Sequence, residues 1–110
     1  IMLLKVGRHL RPRPHLKVIV ARDAGETQYL RGYRKSYAHL IMTSHNGPMT
    51  LLEGELHDGD AELAARIAAR FGQGRAASDV QFDFVTAAGV ARSLAVAPFK
   101  PEDIAPEWYV

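Results

Sequence analysis

Leu16-Lys17-Val18-Ile19-Val20-Ala21 is the stretch on which the fold turns. It is β-branched and nearly continuous in apolar character, which predicts a strand in a central position with both faces buried. On its C-terminal side Asp23 stands where a helix N-cap is wanted, and Glu26 follows three residues on. A short helix over residues 26–34 then sets Tyr29, Leu30 and Tyr33 on one face and Arg31, Arg34 and Lys35 in its last turn, where the helix dipole favours cations. On its N-terminal side runs Arg8-His9-Leu10-Arg11-Pro12-Arg13-Pro14-His15. Two prolines remove backbone donors and push Arg11 and Arg13 to extended conformations. This segment is expected as an extended basic loop with its side chains fanned outward, preceded by a short strand over residues 2–6.

Working further outward, residues 36–43 and 49–56 read as strands around the turn Ser44-His45-Asn46-Gly47-Pro48. Asp58 or Asp60 is expected to cap a longer helix ending near Phe71, with Leu63, Ile67 and Phe71 at four-residue spacing and Glu62 to Arg66 as a favourable pair on the outer face. Val80 to Val85 alternates, with Val80, Phe82 and Phe84 inward, and pairs with residues 90–97 through the three-residue loop Ala87-Ala88-Gly89. Trp108 is expected to dock the tail on the body. The fold class is thus α+β, a single domain with a mostly antiparallel or mixed sheet of about six strands, one short helix and one longer one. Residues 1–98 form the body and 99–110 the tail. Ile1 ahead of Met2 suggests a vector residue or a domain excised from a longer chain.

Charge is distributed unevenly. Residues 1–35 carry nine basic and two acidic groups, and residues 36–110 carry five basic and ten acidic ones. The formal +2 of the whole therefore combines a net +7 front with a net −5 remainder. A concentrated cationic surface attracts phosphate backbones. Arg8, Arg11, Arg13, Lys17, Arg22, Arg31, Arg34 and Lys35 are the candidate phosphate contacts, and His9 and Tyr37 the candidate base-proximal groups. Arginine forks interleaved with aromatic or imidazole rings suit single-stranded or loop RNA.

Other chemistries find less support. The absence of cysteine excludes disulfides, thiolate zinc sites and thiol nucleophiles from this segment. His9, His15, His39, His45 and His57 lie on separate predicted elements at no recognised metal-ligand spacing, and no metal or other cofactor is expected. Ser44 and His45 are adjacent, but a nucleophile and its base need spatial approach. Glu53 and Glu55 are read as solvent-facing strand carboxylates, and no Gly-rich phosphate cradle is present. No run is long enough for a membrane span, so a soluble cytoplasmic segment that is not itself an enzyme is expected.

Lys5-Val6-Gly7-Arg8-His9-Leu10-Arg11, followed by the strand at 16–21, Arg22-Asp23, Glu26-Thr27 and Leu30, resembles the RNA-binding domain of the NFACT proteins. The resemblance is to the variant fused behind a PP-loop ATPase in 2-thiouridylase-like tRNA-modification proteins. Gly7, Arg8, His9, Arg11, Arg22 and Leu30 are kept, whereas Ala21, Asp23 and Thr27 replace a glycine and two asparagines of that pattern. Gly47-Pro48, the Ala-rich helix through Phe71 with Gly74-Arg75, and the closing strand pair follow in order. His39 is offset from the family histidine, with Ile41 in its place. The resemblance implies an RNA-binding domain, with tRNA as the RNA and a fused or separate PP-loop ATPase as partner. The full-length protein would then act in tRNA thiolation, and RNA contacts carry over to Arg8, His9, Arg11 and Arg22. The competing expectation is a protein-interaction or self-association module that uses the basic face and the acidic tail.

Overall fold

The computed structural model describes residues 6–110. The strand expected at 2–6 falls almost wholly outside them. Six strands form one antiparallel sheet: β1 (Arg8–Arg13), β2 (Leu16–Val20), β3 (Ala38–Met42), β4 (Thr50–Glu53), β5 (Val80–Val85) and β6 (Ala91–Val96), in spatial order β1-β2-β4-β3-β5-β6. Helix α1 (Ala24–Arg31) connects β2 to β3, and α2 (Asp60–Arg70) connects β4 to β5. The α+β class with one short and one longer helix is as read from the sequence.

The central run behaves as its composition requires: all five residues of β2 are buried. Val18 and Val20 join Leu40, Leu52, Phe82 and the alanines of α2 in one core. Ile19 and Ala21 join Leu30 of α1, Met49 and Leu51 in another. The period-2 alternation of a strand sends these residues to opposite faces, so the two helices cover opposite faces of the sheet.

Residues 8–13 correct the expectation of an irregular loop. They form β1, an edge strand paired to β2 with a register shift between Leu10 and Arg13. Pro12 is tolerated because edges and bulges are where a missing N–H leaves no ladder bond unmade. The chain's tail covers this edge: Leu10 bridges Tyr109, and the Val110 amide donates to the His9 carbonyl at 3.0 Å. Trp108 packs against the larger core, its ring tilted 6.4 Å from Phe99.

Both helices depart from expectation in detail. Asp23 caps α1, accepting from the Glu26 amide at 2.8 Å, but the helix closes at Gly32, so Arg34 and Lys35 lie beyond it. For α2 the N-cap is Gly59, and neither Asp58 nor Asp60 caps it by a side chain. Asp60 is instead fully buried and accepts from Arg13 Nη1 at 2.5 Å, His15 at 2.8 Å and the His57 amide at 2.7 Å. Glu62 pairs with Arg92 rather than Arg66, because Arg66 lies over the Phe99 ring and donates to the Ala97 carbonyl. Glu55 is exposed outside β4, which ends at Glu53 and is followed by Gly54 with φ +113°.

At Gly54 a Cβ would lie 2.0 Å from the His15 carbonyl oxygen. Gly54→Ala is therefore expected to destabilise the domain by at least about 1 kcal/mol, from the positive φ alone, in urea unfolding. Asp60→Ala leaves three donors without their acceptor and is expected to cost about 1–3 kcal/mol in the same measurement.

Candidate nucleic-acid interface

The basic residues of the front third divide by what they touch. At one end of α2, Arg13 holds the Asp60 carboxylate, and at the other the Arg8 guanidinium lies over the Phe71 ring, 4.5 Å from its centroid. Strand β1 is thereby clipped to both ends of that helix. His9 is buried, and its Nε2 donates to the Val6 carbonyl at 2.9 Å. Lys17 is buried in β2 opposite Glu53. Arg11 is exposed and donates to the Pro14 carbonyl. These five side chains lie along β1 and β2 and do not converge on one surface cavity.

Arg22, Arg31, Arg34 and Lys35 do share a surface. A depression of about 450 Å³ opens between the start of α1, the Asn46–Pro48 turn and the end of α2, lined by Arg22, Thr27, Gln28, Phe71 and Gln73 among others. A second of about 210 Å³ shares Thr27, Asn46, Gly47 and Pro48 with it, and adds Arg31, Ile41 and His45. A third of about 520 Å³ shares Ile41 with the second, and is walled by Arg34, Lys35, His39, Val85 and the loop 86–89. The first two share four lining residues, and the third meets the second at Ile41. The series forms a trough along α1 and past its C-terminal end, with four cations among its lining residues. Tyr37 is half-buried against the smaller core, its ring 6.5 Å from Tyr33, and lines none of the three depressions.

The trough is not uniformly cationic. At its start Arg22 donates from Nε and Nη2 to both Glu26 oxygens, at 2.5–3.2 Å. The Arg22 side-chain hydrogen bonds hold the Glu26 carboxyl down at about 2, against its ordinary 4.5, with the Arg22 and Gly7 amides adding to the effect and desolvation opposing it. Gly7 is confined to this role by its surroundings: its φ is +81°, and a Cβ would come within 2.9 Å of the Val20 carbonyl oxygen. Toward the other end no carboxylate pairs with Arg31, Arg34 or Lys35 among the described residues. Arg34 donates to the Arg31 carbonyl at 3.0 Å, the contact with last-turn carbonyls that a helix end invites.

Two other clusters emerge that residue spacing did not announce. His15 and His57 stack face to face, centroids 3.9 Å apart at 17°, beside the buried Asp60, and donor atoms of all three lie within 4.8 Å of one another. Parallel rings direct their in-plane lone pairs along parallel planes, and the Asp60 oxygens already accept from Arg13, His15 and the His57 amide. The arrangement is that of a folding joint. For Asp60, desolvation raises the pKa, but hydrogen bonds from the His57 amide, His15 and Arg13 outweigh it and leave the carboxyl below its ordinary value. Ser44 Oγ and His45 Nδ1 do approach, at 2.7 Å, with the Ser44 oxygen also accepting from the Gln81 amide.

With this geometry in hand, comparison with known proteins is decisive on one point. The family profile described as the NFACT protein RNA binding domain matches residues 7–109. The chain belongs to this family. That family is described by its binding of RNA. No curated protein sequence matches it. The C-terminal part of the fibronectin/fibrinogen-binding protein from Streptococcus suis has the same fold, with a TM-score of 0.76 and 18% identity over 96% of this chain and 50% of that one. This domain thus spans about half the length of that structure. Among the described residues no helix is long and apolar enough to cross a membrane.

The Glu26 pKa carries a testable sign. A carboxyl depressed in the folded state stabilises fully above its unfolded pKa of about 4.5, and that contribution is lost as pH falls through about 2. Arg22→Ala is expected to return the Glu26 midpoint toward 4.5, read by carbon-detected NMR titration of the carboxyl, and to remove that segment of the acid-stability profile.

Proposed function

We propose that the domain holds single-stranded or loop RNA in the trough along α1, with Arg22, Arg31, Arg34 and Lys35 on its phosphates. The observation that carries this reading is the run of Arg31, Arg34 and Lys35 beside connected depressions with no carboxylate pairing them among the described residues. Cations already held by Asp60 or Glu26 must give up a partner to meet a phosphate, whereas these need not. Tyr37 flanks the strand path. Arg8, Arg11 and Arg13 approach RNA from the far side of β1, and His9 and Lys17 support that edge from within.

The RNA is tRNA in this proposal, and the domain's task is to position it for a PP-loop ATPase that thiolates it, fused or separate. The support is the pattern from Gly7 to Leu30 and the absence of cysteine, which leaves sulfur transfer to another domain. Affinity for tRNA across a salt series tests the trough. Four phosphate contacts correspond to a log–log slope of about −3 on the single-strand coefficient, and replacing Arg31, Arg34 and Lys35 together by Ala is expected to bring it to about −1. Lys100→Glu, at an exposed tail position that lines none of the three depressions, serves as the comparison. Equal losses from both variants, or no binding by the unaltered domain at low salt, would reject the trough. A protein partner that binds the unaltered domain while tRNA does not would favour the interaction-module reading.

A further inference from the structure

His39 is 4% exposed, yet one of its ring nitrogens is open. Nδ1 lies 3.1 Å from the Tyr37 carbonyl oxygen, which can only accept, so the proton sits on Nδ1 and the neutral ring offers Nε2 as an acceptor. No buried side-chain nitrogen or oxygen among the described residues lacks a partner. Nε2 has none among the described residues, so it is not fully enclosed, and His39 lines the depression of about 520 Å³.

The sheet's architecture makes this depression. Helix α1 packs over β2 and β4 on its face of the sheet but stops at Arg31. The same face of β3 and β5 is left with Ile41, 43% exposed, and half-buried Val85 on the floor. The hairpin loop 86–89 closes one wall, and Arg34 and Lys35 stand on the other. A flat apolar floor, one fixed acceptor at its base and two cations on the rim match the three parts of a nucleotide. The volume lies in the range of small-ligand sites.

We infer that this depression takes one unpaired nucleobase of the bound RNA. The base lies on Ile41 and Val85, an N–H of its Watson–Crick edge donates to His39 Nε2, and its phosphate meets Arg34 and Lys35. The inference rests on the RNA-binding reading of the trough, of which this is the terminal compartment. Stacking on apolar or aromatic side chains tolerates any base, while the acceptor favours bases that present an N–H there.

The test uses the domain itself, labelled with nitrogen-15 and titrated separately with AMP and with ribose 5-phosphate. AMP is expected to move the amides of Ile41 and residues 86–89 and the His39 ring resonances saturably. Ribose 5-phosphate is expected to move only resonances near Arg34 and Lys35. Identical responses to the two ligands, or none to AMP at those positions, overturn the base pocket. Ile41→Glu alters an exposed strand position, so an unchanged melting curve is expected together with loss of the AMP response and a fivefold or greater fall in RNA affinity. A retained AMP response in that variant also overturns it. RNA binding with its normal salt slope but no AMP response removes the pocket alone, whereas an AMP response without RNA binding keeps the pocket and removes the trough.

Discussion

The two-sided burial of β2 is the constraint from which the rest follows. A strand with Val18 and Val20 on one face and Ile19 on the other needs cover above and below, and α2 and α1 supply it on opposite sides. The longer helix packs over β2, β5 and β6 on its side of the sheet, bringing alanines against β-branched and aromatic residues. The shorter one covers only part of its side. An eight-residue helix rises about 12 Å, less than the width of six strands spaced at about 4.8 Å. The uncovered remainder is where the exposed Ile41 and the depression lined by His39 are found, so the extent of open sheet is set by how much helix the sequence provides.

Charge in this domain serves two different ends. Arg13, Arg8 and Arg22 each meet a group that fixes a junction: a buried carboxylate, an aromatic ring and a helix-start glutamate. Each joins elements distant in sequence or stiffens a turn between them. Among the described residues, Arg31, Arg34 and Lys35 meet no opposite charge. The same residue type therefore acts as mortar in one set and as a free surface charge in the other, and a count of positive charges cannot tell them apart.

Where pattern alone carries the information, the sequence was readable. Continuous β-branching placed β2, alternation placed β5, four-residue spacing placed α2, and Asp23 with Glu26 placed the start of α1. The failures that bear on the site involve long-range partners. Pro12 and Pro14 argued against a strand because nothing local says that residues 8–13 lie at a sheet edge, where prolines are harmless. Asp60 looked like a cap because its partners Arg13 and His15 are more than forty residues away. The front arginines looked freest for the same reason, while the helix-end group, given a local structural role on the dipole argument, is the one left without carboxylates. His39 kept its strand position in both views, but its open nitrogen depends on a Tyr37 carbonyl and a distant hairpin.

The pairing of the tail on β1 has a kinetic meaning. Joining Val110 to His9 closes nearly the whole chain into one loop, so this contact carries the largest chain-closure entropy in the domain while returning one backbone bond and an isolated bridge. Long-range closures of this kind reward the chain only after the sheet exists to receive them. The last turn is therefore expected to set late and open early, and each opening would bare the backbone of β1 as a free strand edge and uncover the part of the larger core that Trp108 packs against.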